Sequence, residues 1–289
     1  MIAKLKAIVK PSVYKLIQPH RPNFLIIGAQ KAGTTSLHYY LHQHPLLQGA
    51  LDKEVSFFST ERNFQLDVNW YHSQFKDVRN PFPNKKTLFF ESTPEYIYYK
   101  KALERIYNYN KDLKLILILR EPVSRAYSAW NMFRDFKSRP NGIPESLIND
   151  KSSQLYEELY DSKSFPSFEQ AIDNESQKIS KNSNCPEPSF IRRGMYVEQI
   201  KFLFSLFDKS QILILDFDEL QTNKAKTLNN VLSFLDLENF DWDKNSSHKS
   251  YNKRPYTSKI DKITKSNLET FYKPYNEELF KLIHQKFDW

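Results

Sequence analysis

Four short apolar runs punctuate an otherwise polar chain: Phe24–Ile27, Leu88–Phe90, Leu115–Leu119 and Ile212–Leu215. Each is shorter than a helix needs and lacks polar/apolar alternation, the pattern of a strand covered on both faces. Between them apolar residues recur at helical spacing. Leu37 and Leu41 do so within Thr35–Gln43, and similar patterns cover Leu103–Tyr107, Pro122–Phe133 and Tyr196–Phe207. Pro122 suits a first helical turn, where its missing N–H leaves no bond unmade. The last segment, Leu268–Trp289, reads as a helix with Leu279, Phe280 and Ile283 on its apolar side. Strands alternating with helices predict an α/β fold: a single domain with a central, mainly parallel sheet flanked by helices.

Residues 138–189 break this rhythm. They are rich in Ser, Asn, Pro and Lys, with helical patches at Gln154–Tyr160 and Phe168–Ile179. They read as an insertion over the ligand edge of the sheet, a lid or substrate wall, or as a plain surface excursion. Residues 1–22 form a basic amphipathic segment interrupted by Pro11, and the domain proper spans 23–289. No run reaches the ~18 apolar residues of a membrane span, and the start lacks a signal-peptide cleavage pattern. A cytoplasmic protein is expected, with the basic segment available for peripheral contact with an anionic membrane surface.

Composition narrows the chemistry. The 289 residues carry a formal charge of +8, which suits an anionic ligand without choosing one. The single cysteine, Cys185, excludes an intramolecular disulfide and a cysteine-based zinc site. His38, His42 and His44 share one helical region, but no Cys or carboxylate completes a ligand set, so no metal is expected.

Two of only five glycines lie in one strand-to-helix loop, Gly28-Ala29-Gln30-Lys31-Ala32-Gly33-Thr34-Thr35-Ser36. Glycine lets backbone N–H groups approach an anion closely. The helix start adds unpaired N–H groups and the positive end of a dipole. Lys31, Thr34, Thr35 and Ser36 add a charge and three hydroxyls. The pattern points to phosphate. It is not the Walker A sequence of nucleoside triphosphatases, because Lys31 precedes Gly33 instead of following it.

A second motif, Arg120-Glu121-Pro122-Val123-Ser124-Arg125-Ala126-Tyr127-Ser128, leaves the most apolar strand at the end where open α/β sheets bind ligands. An arginine fork there can hold a phosphate in two bonds. Arg125 serves either the helix or the site. A third segment, Lys53-Glu54-Val55-Ser56-Phe57-Phe58, offers a carboxylate suited to general-base work. Read alone, it is more simply a surface Lys-Glu pair ahead of an apolar anchor.

Together these segments resemble the sulfotransferases that use 3′-phosphoadenosine 5′-phosphosulfate (PAPS), particularly the heparan sulfate and bacterial carbohydrate branch. The resemblance runs from Asn23 to Trp289 and implies a P-loop-like nucleotide-binding architecture. It implies that Lys31 contacts the 5′-phosphosulfate and helps the bridging oxygen leave. Ala32, Gly33, Thr34, Thr35 and Ser36 would complete that loop, and Arg120 with Ser128 would bind the 3′-phosphate. Glu54 falls at the position of the catalytic base, with Lys53 beside it near donor or acceptor. Ser56 stands where some relatives have His, and Ser92 where many have an acceptor-side Lys. Glu91 and Ser92 are pocket candidates, although Glu91 could equally cap a strand turn.

Arg193-Gly194-Met195-Tyr196 matches a segment bordering the donor pocket, with Tyr196 either at the nucleotide or in the core. Lys253 and Arg254 lie in a basic loop like one that folds over the donor phosphates in relatives. The implied partner is a carbohydrate acceptor and not nucleic acid, and the implied reaction needs no obligatory metal. Two rivals stay open: a P-loop kinase or NTPase, and a non-catalytic binder of glycan or nucleotide.

Overall fold

The computed structural model describes residues 20–76, 86–138, 159, 162–181, 189–245, 256 and 259–289. Residues 1–19, most of 154–160, Cys185, Lys253 and Arg254 fall outside this set, and with them the expectations placed there.

The described chain builds one five-stranded sheet from β1 (Phe24–Gly28), β2 (Leu47–Gly49), β3 (Leu88–Ser92), β4 (Lys114–Leu119) and β5 (Ile212–Asp216). The order is β2-β3-β1-β4-β5, and every pairing is parallel. The four apolar runs are four of these strands. β2 was not anticipated: its three residues, Leu-Gln-Gly, are too few to show a period. β1 and residues 115–119 of β4 are wholly buried, which is why they read as unbroken apolar runs.

Helices cover both faces. They are α1 (Thr34–Leu41), α2 (Glu61–Phe64), α3 (Val68–His72), α4 (Lys100–Tyr109), α5 (Pro122–Ser138), α6 (Phe168–Ser180), α7 (Tyr196–Leu206), α8 (Phe217–Thr222), α9 (Lys224–Phe234), α10 (Trp242–Asn245) and α11 (Lys262–Ile283). α1 packs with α9, whereas α4 packs with α7, and α7 with α11. None of the described helices is long and apolar enough to cross a membrane.

Two sequence expectations change. The last helix begins earlier, at Lys262, and stops at Ile283 instead of continuing to Trp289. His284 takes a left-handed conformation that ends it, and Phe287 and Trp289 then fold back onto Phe280. The described part of 138–189 is a packed layer. Ser167 and Gln170 cap α6 reciprocally, and its Phe168, Ala171 and Ile172 join a second apolar cluster with Tyr127, Trp130 and Phe133 of α5. The Trp130 indole N–H donates to the Pro166 carbonyl at 2.9 Å, fixing the approach to α6.

The topology places one crevice. The chain leaves β1 toward β2 on one side, and leaves β4 toward β5 on the other. Such a divergence between adjacent parallel strands opens a gap beyond their carboxyl ends, where ligands bind. The loop after Gly28 and the residue after Leu119 flank this gap.

Candidate active site

The loop beyond β1 is shaped by backbone requirements. A Cβ on Gly28 would lie 2.4 Å from Ile97 Cγ2 and 3.1 Å from the Pro94 carbonyl, so only glycine fits. The Ala29 N–H donates to the Ile118 carbonyl at 2.8 Å and the Ala32 N–H to the Ala29 carbonyl at 3.1 Å. Lys31 and Gly33 both have positive φ, 67° and 90°. Gly33 is the N-cap of α1 and brings no side-chain oxygen to the first-turn amides. A helix start of this kind favours an anion.

Arg120 joins this loop to the second motif. Its Nη1 donates to the Lys31 carbonyl at 3.2 Å across 89 residues of chain. Its guanidinium lies 4.7 Å from the centre of the Phe217 ring, the same ring that a Cβ on Gly33 would strike. Glu121 accepts the N–H groups of Val123 and Ser124, each at 2.7 Å, so its carboxylate caps the start of α5. Ser128 is buried two turns into α5. Arg125 serves the scaffold: it is fully buried and donates to the Phe190 carbonyl.

Tyr196, placed by sequence at the nucleotide or in the core, is a core residue. Its hydroxyl donates to the Arg120 carbonyl at 2.8 Å, and the ring is 1% exposed. It therefore supports Arg120 from behind. Burial pushes its phenol up to about 12, so it remains a neutral donor.

The Lys53–Glu54 segment folds against the end of β3. The Glu54 N–H donates to the Ser92 carbonyl at 3.2 Å. The Ser56 N–H donates to Thr93 Oγ1 at 3.1 Å. Glu54 and Ser56 both adopt left-handed φ, 65° and 52°, a conformation that costs a non-glycine residue about 1–2 kcal/mol. These contacts hold the turn in place. The Lys53 ammonium pairs with the Glu54 carboxylate, and the Glu54 side chain stays half exposed while Lys53 is largely covered.

Glu91 and Ser92 are fully buried. Glu91 Oε1 accepts the hydroxyls of Tyr71 at 2.7 Å and Tyr96 at 2.9 Å. Oε2 accepts Thr93 Oγ1 at 2.9 Å. Direct acceptor contact through Glu91 is replaced by this inward network. Ser92 Oγ has no hydrogen-bond partner. The histidines serve the scaffold: His42 Nδ1 accepts from the Gly49 N–H at 3.0 Å and His44 Nδ1 from the Leu46 N–H at 3.2 Å. His38 packs on Phe90, and burial with nearby Lys53 pushes its imidazole down to about 3.

Sequence reasoning missed Tyr71, Thr93, Tyr96 and Phe217 as parts of the site. Tyr71 and Phe217 stand in no motif and act through the distant Glu91 and Arg120, whereas Thr93 and Tyr96 closely follow Glu91 in the chain and only the fold brings them to Ser56 and Phe58. Arg193, in the segment that the sequence sets beside the donor pocket, is buried over the Tyr98 ring at 4.2 Å and donates to the Tyr99 hydroxyl at 3.2 Å.

A crevice at the carboxyl ends of a parallel sheet, flanked by two candidate anion-binding segments that one arginine joins, is the architecture of a nucleotide-binding α/β fold. The sulfotransferase domain profile matches residues 21–272, and the chain belongs to that family. It is 24% identical to the membrane-associated sulfotransferase kil1 of Dictyostelium discoideum, over 93% of this chain and 66% of that protein. It is 25% identical to heparan sulfate glucosamine 3-O-sulfotransferase 5 of Mus musculus, over 93% of this chain and 74% of that one. The chain thus spans just under two thirds of the first relative. Its fold superposes on a sulfotransferase from Alicyclobacillus acidocaldarius with a TM-score of 0.65 at 24% identity, covering 93% of this chain and 98% of that one.

Proposed function

We propose that this chain transfers a sulfuryl group from PAPS to a hydroxyl or amine of a carbohydrate acceptor. The observation that carries the reading is the Arg120–Lys31 link, which draws the two anion-binding segments onto one crevice. A donor phosphorylated at both the 5′ and 3′ positions needs two such segments; a simple nucleotide needs one. The relatives' names support a glycan acceptor.

In this reading Arg120 and Ser128 hold the 3′-phosphate and orient the donor. The first-turn amides of α1, with Ala32, Gly33, Thr34, Thr35 and Ser36, cradle the 5′ end. PAPS supplies the sulfuryl group and leaves as adenosine 3′,5′-bisphosphate. Glu54 takes the acceptor's proton as the acceptor oxygen or nitrogen bonds to sulfur and the sulfur–phosphate oxygen bond breaks. Lys31 stabilises the charge that the leaving phosphate oxygen gains, which is the largest kind of contribution in such chemistry. Lys53, paired with Glu54, steers that carboxylate. Ser92 faces the acceptor side, and Lys253 and Arg254 close over the donor phosphates; these assignments rest on the resemblance.

A cytoplasmic location, with residues 1–22 touching an anionic membrane surface, belongs to the same proposal; the kil1 relative is named membrane-associated. Flotation with anionic vesicles tests it.

The decisive experiment has two stages. Adenosine 3′,5′-bisphosphate should raise the melting temperature, because it binds only the folded chain. Labelled donor with a glycan panel should then give labelled product. No stabilisation at saturating ligand removes the donor site. Transfer of phosphate from ATP with magnesium would instead establish the kinase reading. Glu54→Gln should keep bisphosphate binding and lose most turnover; full turnover removes Glu54 as the base.

A further inference from the structure

We propose that Glu91 is a positioning residue, which holds the Lys53–Ser56 turn in its working conformation through Thr93 and so couples the base to a buried carboxylate. The proposal rests on the reading of Glu54 as the base, and it adds a residue that does not touch donor or acceptor.

The connection is continuous. Thr93 Oγ1 receives the Ser56 N–H at 3.1 Å and gives its own hydrogen to Glu91 Oε2 at 2.9 Å. A hydroxyl that donates in one direction presents its lone pairs in the other. The ionised carboxylate therefore orients Thr93 to accept from Ser56. Ser56 lies two residues from Glu54, and both have left-handed φ. Two such residues in one turn need an external tether. The second tether, from the Glu54 N–H to the Ser92 carbonyl, comes from the residue next to Glu91.

The groups facing Glu91 are few. Tyr71 comes from α3, Thr93 and Tyr96 from the segment after β3, and the Val55 amide from the turn itself. Tyr109 of α4 lies beyond Tyr71 and bonds to His72 Nε2 at 2.8 Å, and Arg21 acts electrostatically on that pair. Among the described residues no cation pairs with Glu91. Burial therefore prevails over the hydroxyl bonds and pushes the carboxyl up to about 7. Protonation on Oε2 reverses the bond to Thr93, whose oxygen must then serve Glu91 as well as Ser56. The turn loosens as pH falls below 7.

The test uses the full chain and three variants: Glu91→Gln, Glu91→Asp and Thr93→Val. Glu91→Gln should bind adenosine 3′,5′-bisphosphate within about twofold of wild type yet lose about tenfold to a hundredfold in kcat, the scale of a misplaced catalytic group. Its acceptor KM should hardly move. The limb of the wild-type pH profile near 7 should vanish, and Glu91→Asp should restore part of it. Thr93→Val, which keeps the shape and removes the tether, should lower kcat in the same way if Glu91→Gln fails to fold.

Hydrogen exchange gives a readout that needs no turnover. The 53–58 segment should exchange at least about tenfold faster in Glu91→Gln and Thr93→Val, with α5 unchanged. Wild-type exchange, kcat and pH profile in both variants would overturn the proposal. An inactive wild type that still shows the exchange difference would remove the sulfuryl-transfer reading while supporting the tether.

Discussion

Glu91→Gln should also change how stability depends on pH, by an amount the structure sets. Two effects compete at this carboxyl. Three hydroxyl donors favour the ionised form, and complete burial opposes it. The hydroxyls are neutral and no described cation helps them, so burial prevails and raises the group from 4.5 to about 7. Between those values the folded chain keeps a proton that the unfolded chain has released. The associated stability is complete below pH 4.5 and is lost as pH rises through 7. At 1.36 kcal/mol per pKa unit, the loss is about 3 kcal/mol. Glutamine has no proton to lose. Urea unfolding of both proteins at closely spaced pH, with unchanged slope against denaturant, should give a difference that shifts by about 3 kcal/mol in favour of the variant between pH 4 and 8. A difference that stays constant would refute the dominance of burial. A shift in the opposite direction would show that the hydroxyl bonds prevail.

Other expectations follow from the same geometry. His38, held near 3 by burial, should give the opposite slope: the unfolded chain takes up a proton below 6.5 and the folded chain does not, so roughly 5 kcal/mol of stability is at risk in acid. His38→Leu should blunt acid denaturation, as followed by circular dichroism. Gly33→Ala combines a φ of 90° with a Cβ 2.8 Å from the Phe217 ring; it should destabilise by at least about 2 kcal/mol and weaken bisphosphate binding through Arg120, readable by thermal shift and calorimetry. Arg120→Lys should fail to restore the binding lost in Arg120→Ala, since a lysine lacks the planar fork.

Local chemistry made much of this protein legible in advance. Short apolar runs marked β1, β3, β4 and β5, although β3 ends in the buried Glu91 and Ser92 and β5 is only partly covered. An anion site offers glycines, hydroxyls or an arginine fork within a few residues, so Gly28–Ser36 and Arg120–Ser128 stand out in the sequence as candidates. By contrast, β2 has three residues and exists only because β3 offers it a ladder. Arg125 and Arg120 sit five residues apart and look alike in sequence; packing alone sends one to Phe190 and the other to Lys31.

What the sequence by itself determined is four of the five strands, several of the helices and two candidate anion-binding segments, because those depend on neighbours in the chain. Only the tertiary structure decided that Lys31 and Arg120 share a crevice, and that Glu54 and Ser56 take left-handed turns without glycine. It alone surrounded Glu91 with Tyr71, Thr93 and Tyr96 and not with water. The physical reason is that solvation and hydrogen-bond partners belong to the packed environment, which is assembled from residues as far apart as Lys31 and Arg120, 89 positions, and Tyr99 and Arg193, 94 positions.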